Sequence, residues 1–155
     1  MSVIYSEGWY DDMKNLINGS EEFVAKAPQR RLAMTLEVNG DQSSPYVPAG
    51  SELYFLIILD QGRVAEFTRL EQRHDGKQLD FRFTAPASLW ELIAAGAQDP
   101  ITAGLRGSIR IRGDMRFLMQ NADAVKILVD VYGAQINTEW PLGKPPYDQQ
   151  QVATG

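Results

Sequence analysis

Leu79-Asp80-Phe81-Arg82-Phe83-Thr84-Ala85-Pro86 decides the fold, because it alternates apolar and polar residues and then stops at a proline. Leu79, Phe81 and Phe83 fall on one side of an extended chain and Asp80, Arg82 and Thr84 on the other, the period-two pattern of a strand with one buried face. Pro86 suits the first turn of a helix, and Leu89, Trp90, Leu92 and Ile93 follow before Gly96 ends it. Asp99-Pro100 repeats that start, an N-cap acceptor followed by proline, and Gly107 closes a second short helix. Ser108 to Gly113 alternates again, with Ile109 and Ile111 inward and Arg110 and Arg112 outward. Asp114 then caps a last helix whose inward stripe is expected to hold Met115, Leu118, Met119, Ala122, Val125, Val129 and Tyr132, with a break near Asn121.

Upstream, Ser6 precedes Trp9, Met13, Leu16 and Ile17 at helical spacing, with Gly19 as the stop. Ser20 opens a second helix with Glu21 and Glu22 in its first turn, where acidic groups suit the dipole, and Phe23 and Val24 facing inward until Pro28. From Arg31 to Val38 the alternation predicts a strand with Leu32, Met34, Leu36 and Val38 buried and Arg31, Thr35 and Glu37 wet. Gly40 to Gly50 holds Asp41, Ser43, Ser44, Pro45 and Pro48 and reads as a long loop, expected to act as a lid or rim. Leu53 to Leu59 is apolar on both faces, as a central covered strand would be. The turn Asp60-Gln61-Gly62 returns the chain as an antiparallel strand over Arg63 to Gln72, and the turn Asp75-Gly76 leads into Gln78 to Thr84, so that four strands form a meander. From Thr138 the prolines and glutamines predict an irregular tail. The organisation expected is one α+β domain over residues 1–137, with a tail over 138–155.

A chain of 155 residues is long enough to bury roughly 70% of its unfolded surface in one core. Its net charge of -5 argues against nucleic acid as a partner. The absence of cysteine removes disulfides, thiolate nucleophiles and the sulfur ligands of zinc. Met1 to Asp12 lacks the pattern of a signal peptide and no apolar run reaches the roughly 20 residues of a membrane span, so the expected setting is cytoplasmic, without stable membrane insertion.

The ordered set running from Leu79 through Trp90-Glu91-Leu92-Ile93, Gly96, Asp99-Pro100, Gly107 and Ser108-Ile109-Arg110-Ile111-Arg112-Gly113-Asp114 resembles the sterol carrier protein 2 (SCP2) family, over roughly Arg31 to Val131. The resemblance implies a five-stranded mixed, mainly antiparallel sheet with helices on one side, and between them a hydrophobic tunnel for a fatty acid, acyl-CoA or sterol-like lipid. It transfers no catalytic residue and no cofactor. The chain departs from the family in lacking a terminal peroxisomal tripeptide, so that address is not carried over, and in carrying an extra N-terminal helical region and a proline-containing tail, by which the tunnel mouth could be occluded or rebuilt.

The wall expected for such a tunnel is Phe81, Phe83, Trp90, Ile93, Ile101, Leu105, Ile109, Met115, Leu118 and Met119, set against the plain alternative that each is ordinary core. Arg106, Arg110, Arg112 and Arg116 could fork a phosphate or carboxylate, or form a solvated strand face. His74, the only histidine, sits beside Asp75-Gly76 as a turn decoration. There is no Gly-x-Ser-x-Gly elbow, no Gly-x-Gly-x-x-Gly or Walker sequence and no metal-ligand spacing, so neither enzyme chemistry nor a cofactor or metal is expected. Two non-catalytic functions remain: binding or transfer of an apolar ligand, or an accessory protein-interaction module with a side-chain-filled tunnel that acts with a partner enzyme through Gly40 to Gly50 and the tail; a homodimer is compatible with either.

Overall fold

The computed structural model describes residues 2–147. Its frame is a five-stranded sheet of β2 (Leu32–Asn39), β3 (Glu52–Asp60), β4 (Arg63–Leu70), β5 (Phe81–Pro86) and β6 (Arg110–Gly113), in the order β4-β3-β2-β5-β6. β2 pairs antiparallel with β3 and parallel with β5, and β6 closes the far edge antiparallel to β5. The expected meander is therefore corrected: after β4 the chain crosses the sheet, and β5 lies beside β2 instead of β4. β3, with its apolar stretch Leu53 to Leu59, lies inside the sheet between β4 and β2, and β2 is the middle strand of the five. A parallel neighbour needs a crossover, and residues 71–80 supply part of it.

Local capping sets the helices. In α1 (Glu7–Asn18) the Ser6 hydroxyl accepts from the Trp9 amide, and in α2 (Glu21–Lys26) Ser20 accepts from Phe23. After α3 (Ala87–Ala94), Asp99 caps α4 (Pro100–Leu105) through the amides of Ile101 and Thr102. Asp114 caps α5 (Met115–Gln120), and the chain breaks at Asn121 before α6 (Ala122–Asp130) and a π turn over Val131–Gln135. Thr138–Glu139, expected to open an irregular tail, instead form a short strand (β7) parallel to β1 (Ser2–Val3). The rest of the predicted tail, from 148, lies outside the described residues.

Register places Leu32, Met34, Leu36 and Val38 on the same face as Leu53, Phe55, Ile57 and Leu59 of β3 and Phe81, Phe83 and Ala85 of β5. The opposite face was expected to be wet, yet Thr35 and Glu37 are only 1% and 3% exposed. The crossover segment and β5 together account for this: Arg73 Nε donates to Glu37, Arg82 of β5 pairs with the same carboxylate, and Arg82 Nη2 donates to the His74 carbonyl at 2.9 Å. Two guanidiniums thus meet Glu37, the arrangement that makes burial of a carboxylate tolerable. The side-chain hydroxyl of Thr35 is buried there without a hydrogen-bond partner.

Gly113 ends β6 opposite Phe81 with φ +142°, and a Cβ there would collide with the Phe81 ring and the Asp80 carbonyl. The edge strand can approach β5 only with glycine at this point. Gly113→Ala should cost about 2 kcal/mol in urea unfolding; a cost near zero would show that β6 can shift outward freely.

Candidate functional site

Between the apolar sheet face and the helices lies a cavity of about 320 Å³. Its deep end is built from Met34 and Leu36 of β2, Ile57 and Leu59 of β3, Val64 and Phe67 of β4, and Met13, Ile17 and Phe23 of α1 and α2. Its roof comes from Ala124, Val125 and Leu128 of α6 and from Tyr132, and its outer end from α4 and α5. The fold leaves this room because short helices span the sheet with a break at Asn121, so no single long helix lies flat on the strands.

Nine of the ten expected wall residues line it: Phe81, Phe83, Trp90, Ile101, Leu105, Ile109, Met115, Leu118 and Met119. Ile93 does not; it is 2% exposed and its carbonyl lies against Gly133, so it belongs to the packing of α3 on the π turn. The expected inward stripe of α5 also needs correction, since Met115 and Met119 are 43% and 65% exposed, as are Ile101 and Leu105 at 41% and 73%. These four stand at the mouth. The Gly40–Gly50 loop contributes no residue to the wall, so it is neither lid nor rim of this cavity. Between these walls the side chains leave open apolar space.

The polar groups on the wall are bonded within the protein. Trp90 Nε1 donates to the Glu37 carbonyl at 3.0 Å, Tyr132 Oη to the Trp90 carbonyl at 3.0 Å, and Asn121 Nδ2 to the Phe117 carbonyl at 2.9 Å. Burial pushes the Tyr132 hydroxyl far up, with the Glu91 carboxylate adding to the effect, so it stays neutral. Such a wall offers a guest dispersion and desolvation and no charge.

Sequence reasoning missed a second feature. Glu91 has no exposed surface and accepts from Tyr5 Oη at 2.6 Å, from Ser44 Oγ at 2.7 Å and from the Tyr147 hydroxyl. Burial is the largest influence and raises its carboxyl above the ordinary range, with Asp41 in support, while the hydroxyls of Tyr147, Tyr5 and Ser44 act against it. Ser44 also accepts from the amides of Tyr46 and Val47, so the long loop is folded inward onto this carboxylate. A signal was present: Ala87, Trp90, Glu91 and Ala94 recur at helical spacing and are all buried.

A model of the SCP-2 sterol transfer family matches residues 13–126. The chain belongs to the SCP-2 sterol transfer family. The matched stretch holds the whole SCP-2 sheet, whereas Tyr5 and Tyr147 lie on either side of it. A crystal structure of sterol carrier protein 2 superposes with a TM-score of 0.71 at 21% identity, covering 84% of this chain and 98% of that one. The solution structure of a conserved hypothetical protein of Thermus thermophilus gives 0.70 at 21% identity, over 88% and 91% of the two chains. Palmitated SCP2L2 of Aedes aegypti gives 0.51 at 14% identity, over 79% and 92%. At these identities the likeness carries the SCP-2 fold alone. No curated protein sequence matches the chain significantly.

The remaining sequence expectations fall outside the cavity. His74 Nδ1 accepts from the Gly76 amide at 2.9 Å and so closes a turn. Arg106, Arg110, Arg112 and Arg116 are all exposed. Among the described residues no helix is long and apolar enough to cross a membrane.

Proposed function

We propose that this protein carries an apolar ligand, a fatty acid, acyl-CoA or sterol-like lipid, in the cavity between its sheet and helices, and acts by binding and release without catalysis. The observation that carries this reading is the open apolar cavity of about 320 Å³, at the lower end of the roughly 300–1,000 Å³ usual for ligand sites. Membership of the SCP-2 sterol transfer family supports the ligand class. Each methylene taken from water contributes about 0.8 kcal/mol, so a chain can be held without a charged partner. The wall residues in this reading are Phe81, Phe83, Trp90, Ile109 and Leu118, with Ile101, Leu105, Met115 and Met119 at the mouth. The non-catalytic part is supported by the wall chemistry, which turns no carboxylate, imidazole or serine hydroxyl toward a guest.

Native mass spectrometry of protein purified from its host, followed by lipid extraction, tests the reading. A stoichiometric lipid, exchanged by added fluorescent fatty acid, is expected. Protein that arrives empty and takes up no fatty acid or sterol probe would overturn it.

A further inference from the structure

The two edges of the main sheet are finished differently. At β4 the Asn18 side chain plugs the outer edge: its Nδ2 donates to the Val64 carbonyl at 3.0 Å and its Oδ1 accepts from the Val64 amide at 2.7 Å. At the other edge, and among the described residues, β6 pairs with β5 alone, and Arg110, Ile111, Arg112 and Gly113 make no further backbone hydrogen bond. An extended edge with free amides and carbonyls is a template for one more strand.

The side chains along β6 decide which strand that is. Arg110 and Arg112 stand exposed on the face away from the apolar cavity, while Ile111 between them lines the cavity. Among the described residues neither arginine lies within 4.0 Å of a carboxylate, the ion pairs being those of Lys26, Arg30, Arg73, His74 and Arg82. Beside Arg112, β5, β6 and the crossover enclose a polar hollow of about 370 Å³ that also has Arg73 and Arg82 on its wall. Its two aspartates are engaged elsewhere: Asp80 accepts from the Ala33 amide at 2.8 Å and lies 3.6 Å from Arg30, and Asp75 accepts from the Lys77 amide at 2.9 Å. The hollow thus has room for an incoming carboxylate next to an unpaired guanidinium. On the cavity side, Ile111 adjoins α4, where a Cβ on Gly104 would lie 3.3 Å from it. Leu105 comes next in α4 and Met115 opens α5, and both stand exposed as an apolar lip beside the edge.

These features select among occupants. A second copy paired β6 to β6 would set the arginines of both chains against each other, and like charges across strands repel. A wholly apolar strand would leave Arg110 and Arg112 unanswered. A strand with carboxylates at alternate positions and an apolar residue between them meets the free backbone, both arginines and the lip together.

We propose that β6 is a docking edge for an extended acidic segment of a partner protein, which adds a sixth strand to the sheet. Its alternate carboxylates face Arg110 and Arg112, and the apolar residue between them packs toward Leu105. This docking needs no guest in the cavity and stands apart from the carrier reading.

The test is fluorescence anisotropy of the full chain with a labelled, end-blocked peptide that alternates glutamate with valine. Binding is expected, weakened by salt and absent for a peptide with lysine in place of glutamate. Arg110→Gln with Arg112→Gln should weaken it about tenfold, and Arg110→Glu with Arg112→Glu should transfer the preference to the lysine peptide. These exposed positions should leave the circular dichroism spectrum and Tm unchanged. Alternate amides of a strand point to opposite edges, so methylating one alternate set of peptide amides should abolish binding and methylating the other should spare it. No binding, equal binding of the two peptides, the same effect of both methylated sets, or full binding by the arginine variants would overturn the proposal. A parent dimer that the glutamate variants dissolve, with no peptide bound, would give the edge to a second copy and overturn it as well.

Discussion

Glu91→Ala should lose about 3 to 4 kcal/mol of stability, whereas Glu91→Gln should stay within about 1 kcal/mol of the parent at pH 5. The alanine variant strips the acceptor from three hydroxyls at once, those of Tyr5, Ser44 and Tyr147, and opens a void where a fully buried side chain had been. The glutamine variant keeps the shape and one acceptor oxygen. Its second consequence is a change in pH dependence. Burial raises the Glu91 carboxyl above its unfolded value, so folding favours the protonated form. The associated stability is fully present below the ordinary carboxyl range and is lost as pH rises through the raised value. Glu91→Gln carries no such titration, and its stability relative to the parent should therefore increase from pH 5 to pH 8. Urea unfolding of both proteins at the two pH values measures this directly, and the difference between them cancels groups they share. A parent that gains on the glutamine variant with rising pH would mean that the three hydroxyl donors outweigh burial.

This cluster also explains what the extra segments do. Tyr5 and Tyr147 lie outside residues 13–126, the stretch shared with the SCP-2 family model, and both reach Glu91 on α3. Tyr5 also stacks on Phe55 of β3, at 6.4 Å between ring centroids. The described segments on either side of the matched region are thus tied to it through one carboxylate, and they pair with each other through β1 and β7. Neither Tyr5 nor Tyr147 lines the cavity, whose wall from α1 and α2, through Met13, Ile17 and Phe23, lies within the matched stretch.

What the sequence made legible was local. Ser6, Ser20, Asp99 and Asp114 each accept the amide hydrogen bond that their position predicts, because a cap is decided within four residues. The break at Asn121 and the strand alternation of Phe81–Pro86 were legible for the same reason. Strand partnership was not, since the alternation of β5 is equally satisfied beside β4 or beside β2, and only the path of residues 71–80 decides between them. That path brings Arg73 onto Glu37, and the β2–β5 pairing brings Arg82 there, which turned a face that reads as wet into a covered one. Periodicity also says which residues are apolar without saying which are covered. It therefore found Met115 and Met119 but placed them inside, and it passed over Met34, Leu36, Ile57 and Phe67, whose wall surface depends on how far the helices stand from the sheet.

Ala124→Phe should abolish most ligand uptake, by tenfold or more in affinity, while leaving the protein at least as stable. Ala124 is 3% exposed on α6 and lines the cavity, so a larger side chain there has the void as its nearest free space. A benzene-sized group fills a site of about 150 Å³, close to half of the 320 Å³ present, and what remains is too small for an acyl chain or ring system. Filling apolar space restores contacts that the wall lacks, so Tm should hold or rise by a few degrees. Overpacking would instead lower Tm, and Val125→Phe, from a half-buried position on the same wall, provides the alternative entry. Titration with a fluorescent fatty acid, beside a thermal melt, reads both quantities. Loss of uptake with retained Tm ties binding to the volume between sheet and helices, independent of the lip. Undiminished uptake by both folded variants would place the guest elsewhere and remove the cavity from the function.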